Sequence, residues 1–159
     1  MEPEWILTFL AGMLVFVVLT IILFYVYISF AFMAIGRKAK HPNPALAWIP
    51  LVGPALITSK VANMHWWPIL LMIGIFIPFI GFLFSLAFTV FFTIWLWKTY
   101  EAIKKPGWWA IIPLIIGLVG FGLAYVGEEG IISLIGGIIE ILGWIVHLVL
   151  VGIAAWSKD

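Results

Sequence analysis

The chain contains no cysteine. Disulfides, thiolate nucleophiles and cysteine-based zinc or iron–sulfur sites are therefore excluded. Glutamine is also absent, and asparagine occurs only at Asn43 and Asn63. So few thermolabile side chains fit a heat-adapted source, although a membrane composition gives the same picture. Charge is the third scarcity: 9% of the 159 residues are charged and 65% are hydrophobic, with mean hydropathy +1.25. Soluble domains carry roughly a quarter charged and about half apolar residues. A water-soluble surface cannot be built from so few charges. Soluble enzymes, nucleic-acid binders and disordered chains are excluded. What remains is an integral membrane protein, read as a single domain over residues 1–159.

The long apolar runs set the architecture. Residues 5–35 follow an acidic Met-Glu-Pro-Glu start. A secretory signal begins with Lys or Arg and has a shorter apolar core, so this run is expected to remain as a membrane anchor. At ~1.5 Å per residue it exceeds a ~30 Å hydrocarbon core, so it should tilt or extend into the interface past Tyr25 and Tyr27. The eight basic residues are Arg37, Lys38, Lys40, Lys60, Lys98, Lys104, Lys105 and Lys158. The positive-inside rule gathers them on the cytoplasmic face. Residues 45–59 then have cationic flanks at both ends and contain Pro50, Gly53 and Pro54. That stretch is too short for two crossings and is expected to be a re-entrant or interfacial hairpin, tolerated only where protein or water covers its backbone. Residues 66–97 are also cationic at both ends and are expected to be two short helices broken near Pro78 and Gly81. One long tilted span is the competing possibility. Residues 108–126 would exit, Glu128 and Glu129 would form an outer turn, and residues 131–156 would return. The expectation is an all-α polytopic membrane protein of about five spans plus that hairpin. It would lie multi-pass in the plasma membrane, with the N-terminus outside and the C-terminus cytoplasmic. Trp5, Trp66, Trp67, Trp97, Trp108, Trp109 and Trp156 fall at run ends, where aromatic belts belong.

A pattern recurs at Ile49-Pro50-Leu51-Val52-Gly53, Ile77-Pro78-Phe79-Ile80-Gly81 and Ile112-Pro113-Leu114-Ile115-Ile116-Gly117. Tryptophan and a polar, proline-bearing knuckle precede it each time. Proline removes a backbone donor and clashes with the preceding turn, and glycine permits a bend or a close approach. Each copy is expected to break or kink a helix. Broken helices in repeated positions mark binding sites in transporters, while Pro and Gly are also simply frequent in membrane helices. At Lys105-Pro106-Gly107-Trp108-Trp109-Ala110-Ile111-Ile112-Pro113 the chain resembles a family of small uncharacterised prokaryotic multi-span membrane proteins that repeat a Lys-x-Pro-Gly-Trp-x-x-x-Ile-Pro element. The resemblance covers about residues 31–117. The middle copy lacks the Pro-Gly pair, and the polar residue that family often shows after Ile-Pro is apolar here. Some such proteins carry a signal-peptidase label, but no Ser/Lys dyad is evident. Ser59-Lys60 lies at the hairpin exit, and the other adjacent pair is the terminal Ser157-Lys158. The resemblance implies a fold and no activity.

Two ionisable side chains lie deep in an apolar run, Glu140 and His147. Seven residues is close to two helical turns, so they share a face with Ser133, Gly136, Gly137 and Gly143. A charge at the bilayer centre costs at least ~2.5 kcal/mol. Neutral forms and a protein-facing or water-facing stripe are therefore expected. A carboxyl and an imidazole joined by water form the parts of a proton relay or cation site. The competing role is a packing seam whose polar groups bond to another helix. Ser85, Thr89 and Thr93 recur every four residues and could face Glu140, or simply bond back to their own helix. His41 and His65 lie near the membrane surface, away from the depth of His147, so no metal site and no cofactor are expected. Arg37, Lys38, Lys40, Lys104 and Lys105 could hold anionic lipid headgroups, or act only as topology signals. Gly120 and Ala124, extended by Gly117, make a small surface suited to close helix packing within the chain or between subunits. Two functions follow. One is a channel or transporter for protons, cations or a small solute. The other is a non-transporting accessory or assembly subunit of a membrane complex. No enzymatic constellation is visible. The expected partners are the bilayer and a homo-oligomer or membrane complex, with no nucleic acid.

Overall fold

The computed structural model describes residues 4–127 and 130–158. The expected outer turn at Glu128 and Glu129, and the placement of Glu2, lie outside these residues. The described chain is helical without strands. Its α-helices are α1 (Glu4–Lys38), α2 (Gly53–Val61), α3 (Leu71–Gly74), α4 (Gly81–Ala102), α5 (Ile111–Val126) and α6 (Ile131–Trp156). Short 3₁₀ turns at Pro44–Trp48, Trp67–Leu70 and Gly107–Ala110 lead into the segments that follow. Four helices are long and apolar enough to cross a bilayer: α1, α4, α6 and Gly107–Val126, which includes α5. That is one fewer than the five spans expected.

The helix ends that carry basic residues meet. Lys38 Nζ donates to the carbonyls of Ala154, at 3.0 Å, and Ser157. One buried cluster joins Phe32 and Ile35 of α1, Ile57 of α2, Leu96 and Tyr100 of α4, and Val151 and Ala154 of α6. The core therefore sits at the basic end, and α1, α4 and α6 all run toward it. Away from that end α1 stands clear of the other helices. Residues 5–24 of α1 are exposed almost throughout.

Three helices end the same way. Lys40, Asn63 and Lys104 adopt left-handed backbone, with φ 54°, 52° and 59°. The next N–H in each case reaches back five residues: His41 to Gly36, Met64 to Ser59, and Lys105 to Tyr100, at 2.8–2.9 Å. This Schellman arrangement satisfies carbonyls left free at a helix end.

The first two Ile-Pro segments also share a turn. Leu51 and Phe79 both have φ 66°, and Gly53 and Gly81 donate to Ile49 and Ile77 at 2.8 Å each. Glycine is required because a methyl at Gly53 would lie 2.7 Å from the Ala47 carbonyl carbon, and one at Gly81 would lie 3.0 Å from that of Ile75. The tips carry exposed apolar residues, Leu51 and Phe79. The third segment differs. Pro113 lies in the first turn of α5, where no amide donor is needed, so α5 continues unbroken through Gly117. The expectation of a break there is corrected.

Two hairpins result. Pro44–Trp48 climbs α1 until the Tyr25 hydroxyl donates to the Trp48 carbonyl, and α2 descends until Thr99 Oγ1 donates to the Thr58 carbonyl at 3.3 Å. In the second, Trp67 packs on Phe91 and Gly74 on Phe84, so the rising arm runs antiparallel to α4. Its helical part, Trp67–Leu70 with α3, is much shorter than a ~20-residue crossing.

Candidate functional site

The α5–α6 pair is the tightest element of the fold, and sequence explains why. Gly120 and Ala124 face Gly136 and Glu140 across a seam of small residues, and one turn beyond Glu140 Gly143 lies against the backbone of Gly117 and Pro113. A methyl on Gly120 would lie 2.5 Å from the Glu140 nitrogen and 2.8 Å from the Gly136 oxygen. Small residues let membrane helices approach to backbone contact, where dispersion replaces the missing hydrophobic drive. The seam fixes Glu140 by its main chain. Gly137 faces open space and is not part of it.

Helix α4 stays apart from this pair along most of its length. Its close approach is at the Gly107–Ala110 turn, where Gly107 lies against the Trp97 indole. The separation leaves an open cavity of about 410 Å³ between α4, α5 and α6. Phe88, Thr89, Phe92 and Thr93 form the α4 wall. Pro113, Leu114 and Gly117 form the α5 wall. Glu140, Gly143, Trp144 and His147 form the α6 wall.

The stripe predicted on the last helix is thus divided between two tasks. Gly136 and Gly143 pack, while Glu140 and His147 are half-buried and line the cavity. The two are separated by ~10 Å of helical rise, and neither side chain has a hydrogen-bond partner among the described residues. His147 packs edge-on against Trp144, with centroids 6.2 Å apart. Thr89 and Thr93 face the same cavity, and both also donate to carbonyls of their own helix, at 2.9 and 2.8 Å. Ser85, the third of the series, does not line the cavity; its carbonyl accepts the Thr89 bond.

Other expected site residues lie elsewhere. Ser133 sits one helix turn into α6 against Gly127, ~10 Å along the axis from Glu140, outside the cavity. Pro50, Gly53, Pro78 and Gly81 shape the exposed tips of the two hairpins, away from it, whereas Pro113 and Gly117 line it without breaking a helix. Lys38 is committed to the last carbonyls of α6 and is not a free headgroup ligand. Arg37, Lys40, Lys104 and Lys105 lie at the same end as Lys38. No group of three His, Asp or Glu side chains able to hold a metal occurs among the described residues.

The aromatic walls were not anticipated. Phe88 and Phe92 stack with centroids 5.9 Å apart and planes 20° apart. Their four-residue spacing, parallel to that of Thr89 and Thr93, and the position of Trp144 four residues after Glu140 are the signals that could have placed them on these faces. No protein-family model matches the chain, and neither a curated protein nor a solved structure matches it.

Proposed function

We propose that this chain is a small multi-pass transport protein of the plasma membrane, with its translocation site in the cavity between α4, α5 and α6. One observation carries the proposal: that cavity brings together the two ionisable side chains embedded in the apolar stretch of α6, Glu140 and His147, beside Thr89 and Thr93. A carboxyl and an imidazole are kept inside a membrane at a cost, and where they share a cavity a proton or cation pathway accounts for that cost. Transport is of protons, cations or a small cationic solute. The basic end faces the cytoplasm by the positive-inside rule, with the N-terminus outside. Because α1 and α4 both run toward that end, the chain between them must return. The short arm before α4 supplies this fifth crossing, and residues 45–59 form the re-entrant hairpin. The matching turns at Leu51 and Phe79 favour an internal repeat over these two hairpins.

The test is flux in proteoliposomes, read by a pH-sensitive dye and by tracer cation uptake. Glu140→Gln keeps the shape and hydrogen-bonding groups of the neutral acid but cannot cycle a proton or balance a cation. The expected result is normal folding with flux abolished. Flux that survives the substitution unchanged from pH 5 to pH 8 would overturn the proposal. The accessory-subunit alternative draws on one feature, the exposed residues 5–24 of α1, which have no partner within the described chain.

A further inference from the structure

A bare inorganic cation is poorly served by this cavity. Hard cations take six or more oxygen ligands at about 2.0–2.6 Å. The walls offer one carboxyl and two threonine hydroxyls that already donate elsewhere. The rest of the lining is apolar and aromatic. The Phe88 and Phe92 rings stand on the α4 wall, and Trp144 stands on the α6 wall one turn beyond the carboxyl. Aromatic faces attract cations through the ring quadrupole, and Trp attracts them best. The volume, about 410 Å³, falls in the range of about 300–1,000 Å³ that encloses drug-sized ligands. The cavity is open, and it lies between membrane-crossing helices at the depth of Glu140. A ligand that partitions into lipid can reach it without crossing a polar surface.

We infer that the cavity binds lipophilic organic monocations, with Glu140 as counter-ion and Trp144, Phe88 and Phe92 as the aromatic clamp. This rests on the transport reading of the same site and names its substrate class. Charge sign is the discriminating property. An anion of equal size would meet the Glu140 carboxylate and the negative faces of the rings. A neutral molecule would gain apolar contact alone.

The experiment measures equilibrium binding of tetraphenylphosphonium and of its anionic isostere tetraphenylborate to the full chain in lipid nanodiscs. Empty nanodiscs are subtracted to remove partitioning into lipid. The expected result is saturable binding of the phosphonium alone. Glu140→Gln weakens it at least tenfold. Trp144→Leu weakens it about threefold to thirtyfold, the range spanned by a partly to fully desolvated cation–aromatic contact. Thermal unfolding of both variants confirms that they fold. A third variant, Trp156→Leu, changes a tryptophan outside the cavity and should leave binding unchanged. Equal binding of the borate, or phosphonium affinity unaltered by Glu140→Gln in a folded protein, overturns the inference. If phosphonium binding is absent while Glu140-dependent proton or tracer-cation flux persists, the substrate class is wrong and the transport reading stands. If neither occurs, both fail.

Discussion

Two glycines adjacent in sequence should respond to the same substitution with opposite signs. Gly136 and Gly137 both lie inside α6, where replacing glycine by alanine stabilises a helix by about 1 kcal/mol through the lost backbone freedom of the unfolded chain. At Gly137 a methyl meets nothing within 4 Å, so Gly137→Ala should show that gain in full. At Gly136 the methyl would lie 2.7 Å from the Gly120 oxygen and 2.8 Å from the Ala124 Cα, where ordinary contact begins at 3.4 Å. These neighbours are backbone and cannot rotate away. Relieving the overlap moves α5 and α6 apart by roughly 0.5–1 Å, and such a gap forfeits a quarter to a half of each contact's dispersion energy. Overpacking of this kind costs about 1–3 kcal/mol, so Gly136→Ala should be destabilising in spite of the propensity gain. The propensity gain is common to both, so the two variants should differ by the overpacking cost, about 1–3 kcal/mol. Thermal unfolding in detergent, followed by tryptophan fluorescence, reads the difference, with Gly122→Ala as a second control facing open space. Equal shifts for the two alanine variants would show that α5 and α6 do not meet along this seam.

Removing the amine of Lys38 while keeping its stem, as in Lys38→Met, strips two carbonyls at the end of α6 of a charged donor. Hydrogen bonds to charged groups are worth about 1.5–3 kcal/mol, and partial exposure reduces this. A loss of about 1–2 kcal/mol in detergent unfolding is expected, against little change for Lys98→Met at an exposed site, and equal stability of the two would deny Lys38 its capping role. Because the chain has no cysteine, single-cysteine variants at residues 40, 98, 104 and 158 can be labelled without background. All four should react with an impermeant maleimide from the cytoplasmic side and a variant at residue 126 from the other, and a cysteine at 98 reached from the opposite side to one at 40 would undo the return of the chain before α4.

How far the sequence reveals this molecule depends on the range of the interaction involved. Composition reports the solvent, so a helical membrane protein was legible without any residue-level detail. The sharing of a face by Glu140, Gly143 and His147 was legible because seven residues make close to two turns. The division of labour along that face was not. Whether a small residue packs, as Gly136 does, or faces open space, as Gly137 does, depends on the azimuth at which α5 approaches, and that is a tertiary quantity. Proline misled in the same way. Ile-Pro reads identically at 49–50, 77–78 and 112–113, but only the first two prolines precede a left-handed residue and a new helix start. Pro113 arrives after the Gly107–Ala110 turn has already set the direction of α5, so it falls where a missing amide costs nothing. The two short helices expected over residues 66–97 are unequal in the structure, because the arm before α4 is helical only over Trp67–Leu70 and α3.

The cavity and the seam lie on different faces of α5. Backbone contact between α5 and α6 requires a line of small residues, and Gly120, Ala124, Gly136 and Gly143 supply it. On the α4 side, Leu114 and Leu118 of α5 border the gap without closing it, and between them α5 presents no side chain at Gly117. A methyl there would meet nothing within 4 Å. Helix α4, held by α2 and by the Gly107–Ala110 turn, cannot swing in to fill the gap without tearing the buried cluster around Tyr100 and Ile57. Glu140 lies on the boundary between seam and cavity. Its main chain belongs to the packed side and its carboxyl to the open one. A substitution at Gly120 should consequently act on both. Gly120→Ala drives its methyl toward the Glu140 nitrogen, 2.5 Å away, so it should lower stability and displace the carboxyl together. Gly117→Ala should narrow the cavity by about one methyl group, leave the seam intact and raise stability by about 1 kcal/mol through helix propensity. Comparable loss of thermal stability in these two variants would mean that seam and cavity are not separate surfaces of α5.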